Sequence, residues 1–205
     1  MSVSRVAFLA VFLIALAVPA ARADDVSRWT EIGAADRRID WPAAGLAPAP
    51  QMAESFVAPL GYRLERYLWK AQKPAGTFAI AVLRDLTEDD HYLSGPVDLM
   101  KFATTVLKGL EAPVPKALDA ADRKVTTAAG VAMTRRFELG PRQCMVLGLY
   151  AAPNGKPAKI GEPLTEGSLR MDSVYCAAAG QPLSAEQAAA AAASLKMTMP
   201  KMAAK

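Results

Sequence analysis

The chain has 205 residues, of which 52% are hydrophobic and 21% charged, with 24 basic against 20 acidic side chains and a formal net charge of +4. Such a composition is that of a globular protein, and the length suffices for one domain with a substantial core. The positive excess is too small for a polyanion-binding surface, so nucleic acid is excluded as a partner.

The first residues predict a cleaved signal peptide, residues 1–23. Arg5 supplies the positive start, residues 6–18 form an unbroken apolar run, and Ala21 and Ala23 place small side chains where a signal peptidase reads. An uncleaved anchor is the competing reading, but the run is shorter than the ~20 residues of a spanning helix. Loss of Arg5 and Arg22 leaves 22 basic and 20 acidic side chains, a net charge of +2. No cysteine stands at the cleavage point to carry a lipid. The expected location is therefore periplasmic or secreted, with no stable membrane insertion after cleavage.

The mature chain reads as one α+β domain, residues 24–195, with a flexible tail, residues 196–205. Residues 27–32 and 37–41 are short extended segments around a turn at Gly33 and Asp36, and Pro42 ends the second. Residues 43–50 are rich in Ala and Pro and irregular. Residues 51–59 suit a helical turn or two. Residues 62–70 and 77–84 form a hairpin around Lys73, Pro74 and Gly76, whose types suit a tight turn. An acidic loop follows, and Pro96 suits the first turn of a helix. Leu99, Phe102, Ala103, Val106 and Leu110 then recur at three- and four-residue spacing as one apolar stripe.

Residues 123–127, 131–139 and 142–151 predict three consecutive strands. The second alternates Val131, Met133, Phe137 and Leu139, a dry face interrupted by Arg135, against Ala132, Thr134, Arg136 and Glu138. The third is apolar on both faces, as in a central strand covered from two sides. After a long Gly- and Pro-rich loop, residues 169–178 give the last strand. Ser184 and Gln187 then form a capping box at the start of an Ala-rich helix, residues 184–195. Runs of strands with few helices between them predict a mainly antiparallel sheet flanked by two helices.

Cys144 and Cys176 are the two cysteines. If Ala151 pairs with Leu169 to close the hairpin, Cys144 falls directly opposite Cys176, close enough to bond when the pair is a non-hydrogen-bonded one. In an oxidising compartment such a pair is a staple. A redox-active pair would need a Cys-x-x-Cys or a thioredoxin-like unit, and the sequence has neither.

The closing segment Ser173-Val174-Tyr175-Cys176-Ala177-Ala178-Ala179-Gly180-Gln181-Pro182-Leu183-Ser184-Ala185-Glu186-Gln187, with its Ala helix and Ser194-Leu195-Lys196, resembles the end of a Mog1/PsbP-like domain. The order of elements from about Tyr62 onward is similar too. The resemblance implies an α/β sandwich serving as a binding or accessory module without catalysis, and it carries no site residue over.

Three groups remain as candidate chemistry. His91, the single histidine, sits beside Glu88, Asp89 and Asp90 and could act as a hydrolase base, but no serine, cysteine or threonine stands in a nucleophile motif. Met197, Met199 and Met202 offer three soft thioethers for Cu(I), opposed by the nearby Lys196, Lys201 and Lys205. Arg135, Arg136 and Arg142 cluster around one turn and could receive an anionic ligand, or pair with Glu138 or Asp172. Tyr62, Tyr67 and Trp69 could line a groove or fill the core. The expected function is a non-enzymatic accessory or binding protein of the bacterial envelope, without cofactor, engaging an envelope protein or a small ligand. A Cu(I)-binding protein is the first alternative and a hydrolase the second.

Overall fold

The computed structural model describes residues 29–57, 63–70, 76–85, 98–108, 112–151 and 169–198. Among these residues eleven strands and two α-helices follow in chain order: β1 (Thr30–Glu31), β2 (Ile39–Asp40), β3 (Met52–Val57), β4 (Arg63–Trp69), β5 (Phe78–Asp85), α1 (Leu99–Lys108), β6 (Lys116–Ala117), β7 (Arg123–Thr127), β8 (Gly130–Leu139), β9 (Arg142–Ala151), β10 (Leu169–Cys176), α2 (Ala185–Ala193) and β11 (Lys196–Met197). Nine strands form one antiparallel sheet in the order β1-β3-β4-β5-β10-β9-β8, with β6 and β7 sharing the outer edge of β8. The α+β class expected from the sequence is the class observed. Among the described residues, no helix is long and apolar enough to cross a membrane.

Each sheet face has its own cover. Leu99, Ala103 and Leu107 of α1 pack with Phe137, Leu139, Cys144, Val146, Val174 and Cys176 on one face. Asp98 caps this helix, its carboxylate accepting from the Lys101 amide at 3.0 Å. On the other face, α2 and the N-terminal segment, residues 29–46, cover a larger cluster that includes Trp41, Tyr67, Trp69, Met145, Leu147 and Leu149. Odd and even residues of β9 thus go to different cores, which is why its sequence is apolar throughout. The Ser184 capping box forms as expected, with both reciprocal hydrogen bonds in place.

The β9–β10 register pairs Leu169 with Ala151 and Cys176 with Cys144. The Ala177 amide donates to the Gln143 carbonyl at 3.0 Å, which marks that pair as hydrogen-bonded and its neighbour, Cys144 opposite Cys176, as non-hydrogen-bonded. There the Cα atoms stand 4.1 Å apart and the sulfurs are bonded. Both cysteines are fully buried.

Three expectations need correction. Met52–Val57 is a strand, not a helical turn, because Met52, Glu54 and Phe56 alternate with Ala53, Ser55 and Val57 and the free edge of β4 takes them as a partner. The face of β8 expected to be wet is buried at Ala132 and Thr134 on the side that α2 covers, while Val131, expected dry, is 44% exposed near the start of the strand. The tail is ordered past Leu195: Lys196 and Met197 pair with Asp40 and Ile39, and the Thr198 amide donates to the Arg38 carbonyl.

Candidate functional site

On the α2 face, the N-terminal strap crosses the ends of β3, β4 and β5 and leaves a cleft of about 690 Å³. Ser55, Arg63 and Asp85 line its floor, Glu31, Gly33, Asp36, Arg37 and Arg38 its roof, and Thr198 one side. The floor residues come together by register: Ser55 is opposite Glu65, Glu65 is opposite Leu83, and Arg63 and Asp85 follow at the two-residue period that keeps a side chain on one face.

Beneath the cleft lies a buried charge network. Arg38 Nε donates to Glu65 Oε1 at 2.9 Å and its Nη1 to Asp85 Oδ1 at 2.7 Å. Tyr67 donates its hydroxyl proton to Glu65 Oε2 at 2.6 Å, while its oxygen accepts from the Arg38 amide at 3.0 Å. Arg63 Nε lies 2.7 Å from Glu65 Oε1, an ion pair whose N–H is not aimed at that oxygen. Glu65 and Tyr67 are wholly buried. Burial works to lower the Arg38 pKa, but the Glu65 hydrogen bond and the charges of Asp85 and Glu65 outweigh it and hold the guanidinium above its ordinary value. Burial, then the hydrogen bond to Glu65, raises the Tyr67 pKa far above the phenol range, so this hydroxyl keeps its proton.

The opposite face carries a second polar row. Glu54, Arg66 and Asp172 lie in line across β3, β4 and β10, with Val82 between the last two. Arg66 pairs with Glu54 under the ring of Trp29, 4.0 Å from its centroid. Asp172 accepts from Arg170 at 2.6 Å through one oxygen, while Oδ1 is enclosed without a hydrogen bond, and burial raises its pKa.

The three arginines grouped in the sequence do not form one site. Arg135 and Arg136, adjacent on a strand, face opposite sides of the sheet. Arg135 pairs with Asp122 at 2.7 Å. Arg136 clasps Asp119 through Nε and Nη2 and donates Nη1 to the Leu183 carbonyl. Arg142 sits four residues along the β8 ladder from Arg135, opposite Leu139, and donates to the carbonyls of Gly76 and Ala177. Among the described residues Arg135 pairs with Asp122 and Arg136 with Asp119, while Arg142 lies over the ring of Phe78. Asp172 is opposite Gly148 and distant from Arg142. Tyr67 and Trp69 fill the core; Tyr62 lies outside the described residues. Met197 packs against the larger core cluster, while Met199, Met202 and His91 lie outside the described residues.

The Arg136 clasp predicts a pH effect. The Arg136 hydrogen bonds hold the Asp119 carboxyl below its ordinary range. A carboxylate with a depressed folded-state pKa adds stability above its unfolded value, and that stability is lost as pH falls through the folded value. Asp119→Asn is therefore expected to cost about 2 kcal/mol at pH 7 and little at pH ~2. Urea midpoints at the two pH values measure the difference; an equal loss at both would remove the ion pair as its cause.

Compared with known protein families, with curated proteins and with solved structures, the chain finds no match in any of the three.

Proposed function

We propose that the protein is an exported, non-enzymatic binding or accessory protein of the bacterial envelope, built as a Mog1/PsbP-like sandwich and engaging a small ligand or another envelope protein. The Cys144–Cys176 bond carries this reading: a disulfide sealed between two central strands belongs to a chain that folds in an oxidising compartment. The N-terminal apolar run and its small-residue site agree with export. The sandwich reading is supported by the antiparallel sheet with a helix on each face and a capped Ala-rich helix at its close.

The chemistry of the cleft favours binding over turnover. Glu65 is wholly buried and accepts from Arg38 and Tyr67, which keeps it out of a ligand's reach, and Tyr67 holds its proton too tightly to act as a nucleophile. The near-neutral mature charge argues against nucleic acid.

Expression of the full chain in a bacterial host with a C-terminal tag, followed by fractionation and N-terminal sequencing, tests the reading. The expected product is periplasmic, begins at Asp24 and gains two hydrogens on reduction. A cytoplasmic product with an intact N-terminus and two free thiols would refute it.

A further inference from the structure

We propose that β7 pairs with β7 of a second copy of this chain, antiparallel and centred on Val125, so that the two sheets join into one. Self-association of this kind goes beyond the binding role proposed above and does not depend on where the chain folds.

The hydrogen-bond alternation of the ladder leaves β7 open on its outer side. Thr127 and Gly130 close a two-residue turn, and the register then pairs Val125 with Ala132 and Arg123 with Thr134. The closing pair of such a hairpin exchanges hydrogen bonds, so Thr127, Val125 and Arg123 direct their amides and carbonyls to β8, while Lys124 and Thr126 direct theirs outward. The same alternation holds further along β8, where the Arg136 carbonyl accepts from the Leu118 amide at 3.0 Å on this side. Among the described residues no backbone group takes the outward amides and carbonyls of Lys124 and Thr126, and both residues are exposed. The far end of the sheet differs. There the strap itself lies along β3, through β1 and the Ile32 amide, which donates to the Ala53 carbonyl at 2.8 Å. An open run of this kind is a template for another strand.

The residues of β7 match their own copy, and in one register. Residues 118–122 separate β6 from β7, so the unbroken run is Arg123–Thr127. Centred on Val125, Lys124 faces Thr126 of the partner copy and Arg123 faces Thr127, so no cation opposes a cation and both outward residues of each copy find partners. Centring on Lys124 would set two lysines against each other, and like charges directly opposite destabilise a ladder. Centring on Thr126 would leave Lys124 facing Ala128, which is already in the turn. Val131 stands beside Thr126 in the β8 ladder and is exposed, and the methylene stem of the partner copy's Lys124 can cover it across Thr126. The helix that packs on β7, α2, is mostly alanine, a slim profile that leaves the edge open to a second sheet. An edge of this length buries less than a permanent dimer requires, so the association is weak and concentration-dependent.

Sedimentation equilibrium of the purified mature chain, residues 24–205, from about 10 µM to about 1 mM tests the pairing. A reversible equilibrium between monomer and dimer is expected. Thr126→Lys sets a lysine opposite Lys124 twice by symmetry and is expected to weaken the dimer about threefold or more; Thr126→Glu sets a carboxylate there instead and is expected to tighten it about threefold or more. Thr126→Pro removes an N–H that points away from β8, so it is expected to abolish the dimer while the monomer keeps its urea midpoint. Should the proline variant fail to fold, the opposite shifts of the two charge variants still decide. A monomer throughout the concentration range, charge variants that move the equilibrium in the same direction or not at all, or a folded Thr126→Pro that dimerises as well as the wild type would each overturn the proposal.

Discussion

Replacing Cys144 and Cys176 together by alanine is expected to lower the unfolding free energy by about 3–4 kcal/mol, the loop-closure contribution for a bridge across a separation of 32 residues. The melting temperature should fall by on the order of 10 °C for a domain of this size. The effect is large because the bridge closes the end of the ladder that both cores share. It staples β9 to β10, whose odd and even residues feed the larger cluster and the α1 cluster respectively. Two factors pull apart in this variant: the unfolded chain regains freedom, and the removed sulfurs leave unfilled space among Phe137, Val146 and Val174. Reduction without substitution isolates the first factor, since the sulfurs stay in place. Urea unfolding of oxidised, reduced and substituted protein gives all three values, and a loss below about 1 kcal/mol on reduction would mean the unfolded chain is already held in this register by other contacts.

The β9–β10 hairpin was legible because several local signals agree there. Two apolar runs of similar length flank a Gly- and Pro-rich segment, and one register brings the cysteines together; the ladder has that register throughout. The closing helix was legible for the same reason, a capping box followed by Ala. The cleft was not, because its parts are distant in sequence: Arg38 meets Glu65 across 27 residues and Asp85 across 47. A usable signal was present nonetheless. Arg63, Glu65, Tyr67 and Trp69 share one strand face, so a face that buries two large aromatics also buries a carboxylate, and a buried carboxylate requires donors from elsewhere. Arg37-Arg38, beside the turn at Gly33, was the available source. The arginine triplet misled for the opposite reason. Closeness in sequence is not closeness in space here, because neighbours on a strand point to opposite faces. Local composition around Met52–Val57 suits a helical turn, but the partner that decides the matter, the edge of β4, lies beyond the segment itself.

Glu65→Ala is expected to destabilise the protein by about 3–5 kcal/mol, the range for breaking a buried charge pair from one side. The loss follows from what remains: Arg38 keeps only Asp85, the Tyr67 hydroxyl has no acceptor, and the strap loses its main anchor to β4. If the network rather than the volume of the side chain is responsible, the cost must be non-additive. Arg38→Met with Glu65→Leu removes the charges together and is expected to cost less than the two single changes summed, because neither partner is left unpaired. Tyr67→Phe supplies an independent check through alkaline titration. The folded-state phenol pKa is raised above its ordinary value near 10, so the folded protein holds a proton that the unfolded chain releases. That contribution is present at neutral pH and is lost as pH rises past the unfolded value toward the folded one. The wild type should therefore lose stability above pH ~10 more steeply than Tyr67→Phe, as read from urea midpoints. Parallel slopes would show that burial and the Glu65 hydrogen bond do not hold the Tyr67 proton in the folded protein, and additive costs in the double variant would show that Arg38 and Glu65 act separately; the second result would dissolve the network that shapes the floor of the cleft.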